Sequence, residues 1–173
     1  LHGTVEVKEG DPELGNMVRG PFYSWITPEE PLSLISAVRA VLMAVEENGP
    51  FDGVFGFSSG GLVAALACNI AADHSLRAAV LQEAPLPSNQ RRFSLLNILA
   101  PPGKTNLKTD LQEPPFRFAI IACGASPQPL SKLRMAADLD PLPCSSIDVP
   151  SVHLIGVEDT FKAVSEDIAT LFR

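Results

Sequence analysis

Apolar side chains recur along this chain with a helical period in some segments and as short unbroken runs in others. Residues 31–47 show the helical period, with apolar residues at steps of three and four. One face of this predicted helix carries Leu34, Val38, Leu42 and Val45. Pro31 suits the first turn of the helix, and Asn48 followed by Gly49 is typical of a helix end.

The unbroken apolar runs predict strands that are buried on both faces. They are residues 51–57, 116–123 and 149–156. Segments with a helical pattern follow the first run, over 60–72, and the last run, over 160–172. Because parallel strands that are covered on both faces read as continuous apolar runs, this order predicts one α/β domain over residues 1–173, with a mainly parallel sheet.

A proline-rich stretch over about residues 83–115 breaks this alternation of strands and helices. Its one apolar run is residues 93–99. A long excursion of this kind is either a cap over a substrate site or a surface insertion, and the composition leaves both interpretations open.

Composition narrows the classes of function. The formal net charge of −7 and the isoelectric point near 4.9 disfavour contact with a phosphate backbone, so we expect no nucleic-acid partner. No apolar run reaches the roughly 20 residues of a membrane span, and the first residues lack the order of a secretion signal. The three cysteines are widely spaced and suit packed thiols in a reducing compartment. We therefore expect a cytoplasmic protein without a membrane partner.

The segment Gly56-Phe-Ser-Ser-Gly60 fits the pattern G-x-S-x-G and lies between a predicted strand and a predicted helix. This is the context of a nucleophile elbow, in which small residues beside the serine let strand and helix approach closely. Ser58 is the predicted nucleophile, and the backbone N–H of Ser59 is the predicted donor to a substrate oxyanion. The alternative is a glycine-rich turn without chemistry. A phosphate-binding turn is disfavoured because no lysine precedes the serine.

Further segments, in the right order, resemble the FSH1-type serine hydrolases, an α/β-hydrolase family that includes fungal esterases and thioesterases. The segments that carry the resemblance are 20–25, 49–61, 116–124 and 149–159. The likeness is strongest around Ser58 and weakest across the proline-rich stretch. Ser59 stands where the family usually has glutamine, a difference without consequence if only its backbone N–H acts.

The resemblance implies an α/β-hydrolase fold with the chain order serine, acid, histidine. It implies that Asp159 is the acid that orients the histidine and stabilises it once it is protonated. An aspartate that only caps a helix is the alternative. No histidine follows Asp159, and none of His2, His74 and His153 suits the role of base. We therefore expect the chain to lack the family's C-terminal histidine segment. Only 16 residues separate Gly3 from Gly20, where the family has a helix and a strand, so we also expect the family's first strand to be missing.

By resemblance, the complete protein is a serine hydrolase that acts on carboxylic esters or thioesters through an acyl-enzyme on Ser58. This chemistry needs no cofactor and no metal. Fungal relatives serve secondary metabolism by releasing acyl or polyketide chains. The resemblance therefore permits an acyl carrier protein as a partner, alongside a small ester or thioester substrate. The alternative is a non-catalytic binding or interaction protein of the same fold, in which Ser58 is inert.

Overall fold

In the part of the chain that the structure describes, a parallel sheet carries helices on one of its faces. The computed structural model describes residues 5–7, 22–27, 32–82, 115–126 and 146–173. The strands are β1 Val5–Val7, β2 Phe22–Ser24, β3 Gly53–Phe57, β4 Phe118–Ala122 and β5 Ser151–Leu154. The helices are α1 Leu32–Asn48, α2 Ser59–Ala72, α3 His74–Gln82 and α4 Lys162–Ala169.

The central sheet has the strand order β3-β4-β5, and both neighbouring pairs are parallel. Its register aligns Gly56 with Ile121 and Ile121 with His153. The predicted α/β architecture is thus confirmed, and each strand lies inside the apolar run that predicted it. Because parallel strands end at the same edge of a sheet, the residues that follow β3, β4 and β5 meet there.

A second, antiparallel sheet pairs β1 with β2. The chain that leaves β2 is fastened to the start of α1, because the N–H of Thr27 donates to Oγ of Ser33 at 2.9 Å. Ile26 is buried in the same hydrophobic core as α1 and α2. Residues 22–27 are therefore held against the central part of the fold.

Helices α1 and α2 pack against each other and build most of the core on one face of the sheet. The predicted apolar face of α1 is buried: Leu34, Val38, Leu42 and Val45 expose at most 8% of their surface. Helix α2 is buried around its whole circumference, with 10 buried residues between Gly61 and Ala71. It contacts the sheet on one side and α1 and α3 on the other, which explains why it is almost entirely apolar.

The sequence pattern does not predict α3. Asp73 ends α2 in an extended conformation, and its Oδ1 accepts a hydrogen bond from the N–H of Leu76 at 3.0 Å. The same aspartate thus closes one helix and caps the next, at an exposed turn formed by residues 72–74. His74 is exposed as the first residue of α3. An ion pair between Arg77 and Glu46 fastens α3 to α1.

The two faces of the central sheet differ in exposure. On the covered face, Ile121 lies close to Gly61 of α2, and Oγ of Ser165 in α4 donates to the carbonyl of Gly124 at 2.7 Å. The other face carries large apolar side chains with exposed fractions between 44% and 64%: Phe55, Phe57, Phe118, Val152 and Leu154. Within the described residues, this second face is an open apolar surface.

Two expectations from the sequence meet the limits of the described residues. The predicted proline-rich stretch over 83–115 lies outside them except for Pro115. Whether it is a cap over a substrate site or a surface insertion therefore stays a question of sequence alone. Among the described helices, none has the length and apolar character needed to cross a membrane.

His153 projects from β5 toward the covered face of the sheet. Its ring meets Phe172 edge to face, with centroids 5.0 Å apart, and Nε2 lies 3.0 Å from Oγ of Ser151. Nδ1 is buried and has no hydrogen-bond partner in the described part of the chain. Burial lowers the pKa of His153 from its ordinary value of 6.5. The fold therefore favours the neutral imidazole at this position.

We expect the free energy of unfolding to fall as the pH drops through about 6.5, because the unfolded chain binds a proton at His153 more readily than the folded protein does. The stabilising contribution is complete above that pH and is lost progressively below it. Denaturant unfolding at about pH 7.5 and about pH 5.5 measures this loss. The loss should shrink in His153→Phe and persist in His74→Gln, which changes an exposed histidine. Equal pH dependence in the wild type and His153→Phe would contradict this account.

Candidate active site

Ser58 stands at the carboxyl end of β3, directly before α2. Its backbone has φ 53° and ψ −127°, a positive φ that it shares with one other described non-glycine residue, Cys123. Such angles cost about 1–3 kcal/mol for a residue with a β-carbon. The predicted nucleophile therefore has the strained backbone of a serine in a sharp strand-to-helix turn.

Hydrogen bonds on both sides hold this strained backbone. The N–H of Ser58 donates to the carbonyl of Ala122 at 3.0 Å, which extends the β3–β4 ladder by one residue. The carbonyl of Ser58 accepts from the N–H groups of Gly61 and Ala125, both at 2.9 Å. Strand β4, helix α2 and the segment after β4 thus all bond to Ser58, and together they hold its backbone angles in place.

The close approach of β3 and α2 requires glycine at position 56. A β-carbon there would lie 2.4 Å from the carbonyl oxygen of Gly60 and 2.7 Å from Cα of Gly61. A β-carbon on Gly61 would in turn lie 3.0 Å from Cα of Gly124, after β4. These segments meet backbone to backbone, which is the steric condition that the motif predicts.

The turn leaves polar groups available for chemistry. Although Ser58 directly precedes α2, its hydroxyl makes no capping hydrogen bond to the helix. The first N–H groups of a helix have no acceptor inside it, and Ser59 is the first residue of α2. No acidic side chain lies in the first turn of α2 to offset the positive end of the helix dipole. The arrangement combines a hydroxyl with donors suited to a developing negative charge.

Asp159 follows β5 at the same edge of the sheet as Ser58. Strand β4 lies between β3 and β5, so the two turns are about 10 Å apart. Asp159 is half-buried, and its Oδ1 accepts a hydrogen bond from the N–H of Phe161 at 2.8 Å, at the start of α4. Oδ2 has no hydrogen-bond partner among the described residues. Oδ1 thus holds the turn that leads into α4.

Neither described histidine reaches Ser58. His74 lies beyond the far end of α2, whose 14 residues set it about 20 Å from the elbow. His153 lies within β5, where Phe172 and Ser151 contact its ring. His2 lies outside the described residues.

Cys123 shares the strained geometry of Ser58 at the neighbouring strand end. It follows β4 with φ 46° and is half-buried. Cys68, in α2, is 1% exposed, and burial raises its pKa to about 12. The expectation of a packed thiol thus fits Cys68, whereas Cys123 lies at the sheet edge between Ser58 and Asp159. Cys144 lies outside the described residues.

Trp25 is a neighbour of the elbow that the G-x-S-x-G motif does not reveal. A β-carbon on Gly60 would lie 3.2 Å from Nε1 of Trp25, so the indole lies against the first turn of α2. The only sequence signal for this residue is its position in segment 20–25, which carries part of the family resemblance but assigns Trp25 no role.

Comparisons with known proteins agree with this geometry. The chain matches the family described as serine hydrolase (FSH1) over residues 3–173. It is 29% identical over 181 aligned residues to "Hydrolase FUB4" of the fungus Fusarium oxysporum f. sp. lycopersici. The alignment covers 88% of this chain and 65% of that protein, so the chain spans less than two thirds of its relative. No solved structure matches the chain significantly.

Gly56→Ala should destabilise the fold by about 3 kcal/mol or more, because the new β-carbon meets backbone atoms that cannot rotate away. Gly53→Ala, in the same strand, is the matched control. Its β-carbon would meet the ring of Phe118 at 2.5 Å, but that side chain is 44% exposed and can move. Its effect should stay within about 1 kcal/mol. Denaturant unfolding measures both, and equal losses would contradict the backbone contact.

Ser58→Gly should be more stable than Ser58→Ala by about 1 kcal/mol, because glycine relieves the strain of a positive φ by more than its unfolded-state entropy costs. Ser36, exposed on α1, is the control position. There the order should reverse, with glycine less stable than alanine by about 1 kcal/mol. Thermal or denaturant unfolding of the four variants tests this reversal. The same order at both positions would show that Ser58 is not strained.

Proposed function

The chain belongs to the FSH1 family of serine hydrolases, and we propose that the whole protein hydrolyses carboxylic esters or thioesters through an acyl-enzyme on Ser58. The positive φ of Ser58 is the observation that carries this proposal. A residue with a β-carbon keeps such a conformation only where its surroundings enforce it, and such positions cluster at functional sites. The hydroxyl, free of capping, is then the reactive group.

In the proposed mechanism, Oγ of Ser58 attacks the carbonyl carbon of the substrate. The proton of the hydroxyl passes to a histidine of the whole protein that is not one of the three in this chain. The carbonyl oxygen becomes an oxyanion and accepts a hydrogen bond from the N–H of Ser59. Collapse of this intermediate breaks the ester or thioester bond, and the leaving alcohol or thiol takes the proton from the histidine. Water then attacks the acyl-enzyme by the same route and releases the carboxylic acid.

Asp159 is the proposed acid of this mechanism. Its position at the carboxyl edge of the sheet supports that role, as does the lack of a hydrogen-bond partner for Oδ2 among the residues that the structure describes. A carboxylate there fixes the tautomer of the histidine and stabilises the imidazolium that forms as Ser58 loses its proton.

We further propose that the substrate is an acyl thioester held on an acyl carrier protein, in keeping with fungal relatives that serve secondary metabolism. The whole protein would then release an acyl chain from its carrier. The mechanism on Ser58 is the same for a free ester and for a carrier-bound thioester, so comparison of the two substrates decides between them.

Labelling with a fluorophosphonate probe tests the nucleophile. In the full-length protein, we expect covalent modification of the peptide that contains Ser58, detected by mass spectrometry. Ser58→Ala should abolish the label, whereas Ser59→Ala should retain it because the proposed role of Ser59 uses only its backbone N–H. An unlabelled full-length protein that is folded would favour the non-catalytic alternative.

Substitutions at Asp159 separate its proposed role as the acid from its hydrogen bond to Phe161. Asp159→Asn keeps an oxygen that can accept from the N–H of Phe161 but removes the charge. We expect it to lower kcat by about 10⁴-fold with little change in stability. Asp159→Ala should lose comparable activity and, in addition, about 1 kcal/mol of stability. Esterase kinetics and unfolding of both variants provide the readouts, and near-normal kcat in Asp159→Asn would leave Asp159 only its structural hydrogen bond to Phe161.

A further inference from the structure

Ser165 is a polar residue in the middle of α4, yet only 2% of its surface is exposed. Its Oγ donates to the carbonyl of Gly124 at 2.7 Å, and the two residues are 41 positions apart in the chain. A serine hydroxyl inside a helix commonly faces solvent or bonds to the carbonyl four residues back. Burying a hydroxyl is unfavourable unless it is paired, and alanine is the better helix former. The contribution of serine at this position is therefore its bond to Gly124.

The carbonyl that accepts this bond lies next to the proposed nucleophile. Gly124 comes after β4, and the N–H of the next residue, Ala125, donates to the carbonyl of Ser58 at 2.9 Å. Gly124 also fits tightly between two helices. A β-carbon on it would lie 3.0 Å from Cδ1 of Ile168 in α4, and its Cα would lie 3.0 Å from a β-carbon on Gly61 in α2. A shift of this segment would therefore move the backbone that holds Ser58.

The helix that carries Ser165 begins at the proposed acid. The carbonyl of Asp159 accepts from the N–H of Lys162, the first residue of α4, at 3.0 Å. Oδ1 of Asp159 accepts from the N–H of Phe161 at 2.8 Å. The carbonyl of Phe161 accepts in turn from the N–H of Ser165 at 2.9 Å. Hydrogen bonds thus connect Asp159 to Ser165 within the first turns of the helix.

We propose that Ser165 is a positioning residue that fixes the distance between Ser58 and Asp159. Its hydroxyl joins the turn after β4, which holds the nucleophile, to the helix that begins at the acid. In the proposed mechanism, nucleophile and acid act together through one histidine, so a small shift of one against the other lowers the rate. This inference rests on the proposed function and adds to it a residue that acts only through others.

Kinetics of Ser165→Ala in the full-length protein test this role. The variant removes the bond and leaves the carbonyl of Gly124 buried without its partner. We expect kcat for ester hydrolysis to fall about 10-fold, since a misplacement of about 1 Å can lower a rate by up to about 100-fold. KM should stay within about 2-fold, because Ser165 contributes to the geometry of the reacting groups.

Ile70→Val is the matched control for lost stability. It removes one methylene group from a buried side chain in α2, about 16 Å along that helix from Ser59. It should destabilise the fold by an amount comparable to Ser165→Ala and leave kcat unchanged. All variants are assayed at a temperature at which unfolding curves show each of them to be folded.

A double-mutant cycle shows whether Ser165 acts through the acid. In Asp159→Asn the charge of the acid is gone, so its distance from Ser58 matters little. Ser165→Ala should then lower kcat by less than about 2-fold in that background, against about 10-fold in the wild type. A merely structural role would lower kcat by the same factor in both backgrounds. If Ser165→Ala does not fold, Ser165→Cys replaces it, with a fall of about 3-fold in the wild type because the thiol is a weaker donor.

The outcomes separate this inference from the proposed function. A folded full-length protein that hydrolyses no ester or thioester would refute the proposed function and, with it, this inference. An active protein in which the substitution at Ser165 leaves kcat unchanged, or lowers it equally in both backgrounds, would refute only the role of Ser165. A loss of kcat that requires Asp159 and is absent in Ile70→Val supports that role.

Discussion

The contact between Gly56 and the backbone of Gly60 and Gly61 is the constraint on which the site depends. It brings the end of β3 and the start of α2 so close together that one residue between them makes most of the change in chain direction. Ser58 is that residue. Its positive φ is the consequence of the close contact, and its hydrogen bonds to β4, to α2 and to Ala125 keep it in place.

The parallel sheet extends this local constraint to a site. Because β3, β4 and β5 run in the same direction, the turns that hold Ser58, Cys123 and Asp159 lie along one edge. The helices on the covered face fix that edge, with Ser165 of α4 bonded to Gly124 behind the turn after β4. Antiparallel β1 and β2 lead to Trp25, which reaches the elbow from a separate part of the fold. Groups distant in sequence thus converge on the first turn of α2.

Much of this architecture follows from the sequence, since it depends on local patterns. The apolar face of α1 and the apolar runs of β3, β4 and β5 can be read directly from neighbouring residues. The G-x-S-x-G motif likewise explains why position 56 needs a glycine, because strand and helix approach each other closely there. Other features depend on contacts between distant residues. Helix α3 begins at an exposed aspartate that caps it, and the hydrogen bond between Asp159 and Phe161 is visible only once the turn is folded. The approach of Trp25 to Gly60 joins segments that no local pattern relates.

We propose that the turn at Ser58 presents a nucleophile and an oxyanion donor in one rigid geometry. A crystal structure of the full-length protein after reaction with a diethyl phosphoryl fluoride tests it most directly, since the adduct resembles the tetrahedral intermediate. We predict a phosphorus atom bonded to Oγ of Ser58, with a phosphoryl oxygen about 3 Å from the backbone nitrogen of Ser59. An adduct on another residue, or a phosphoryl oxygen directed away from the start of α2, would contradict it.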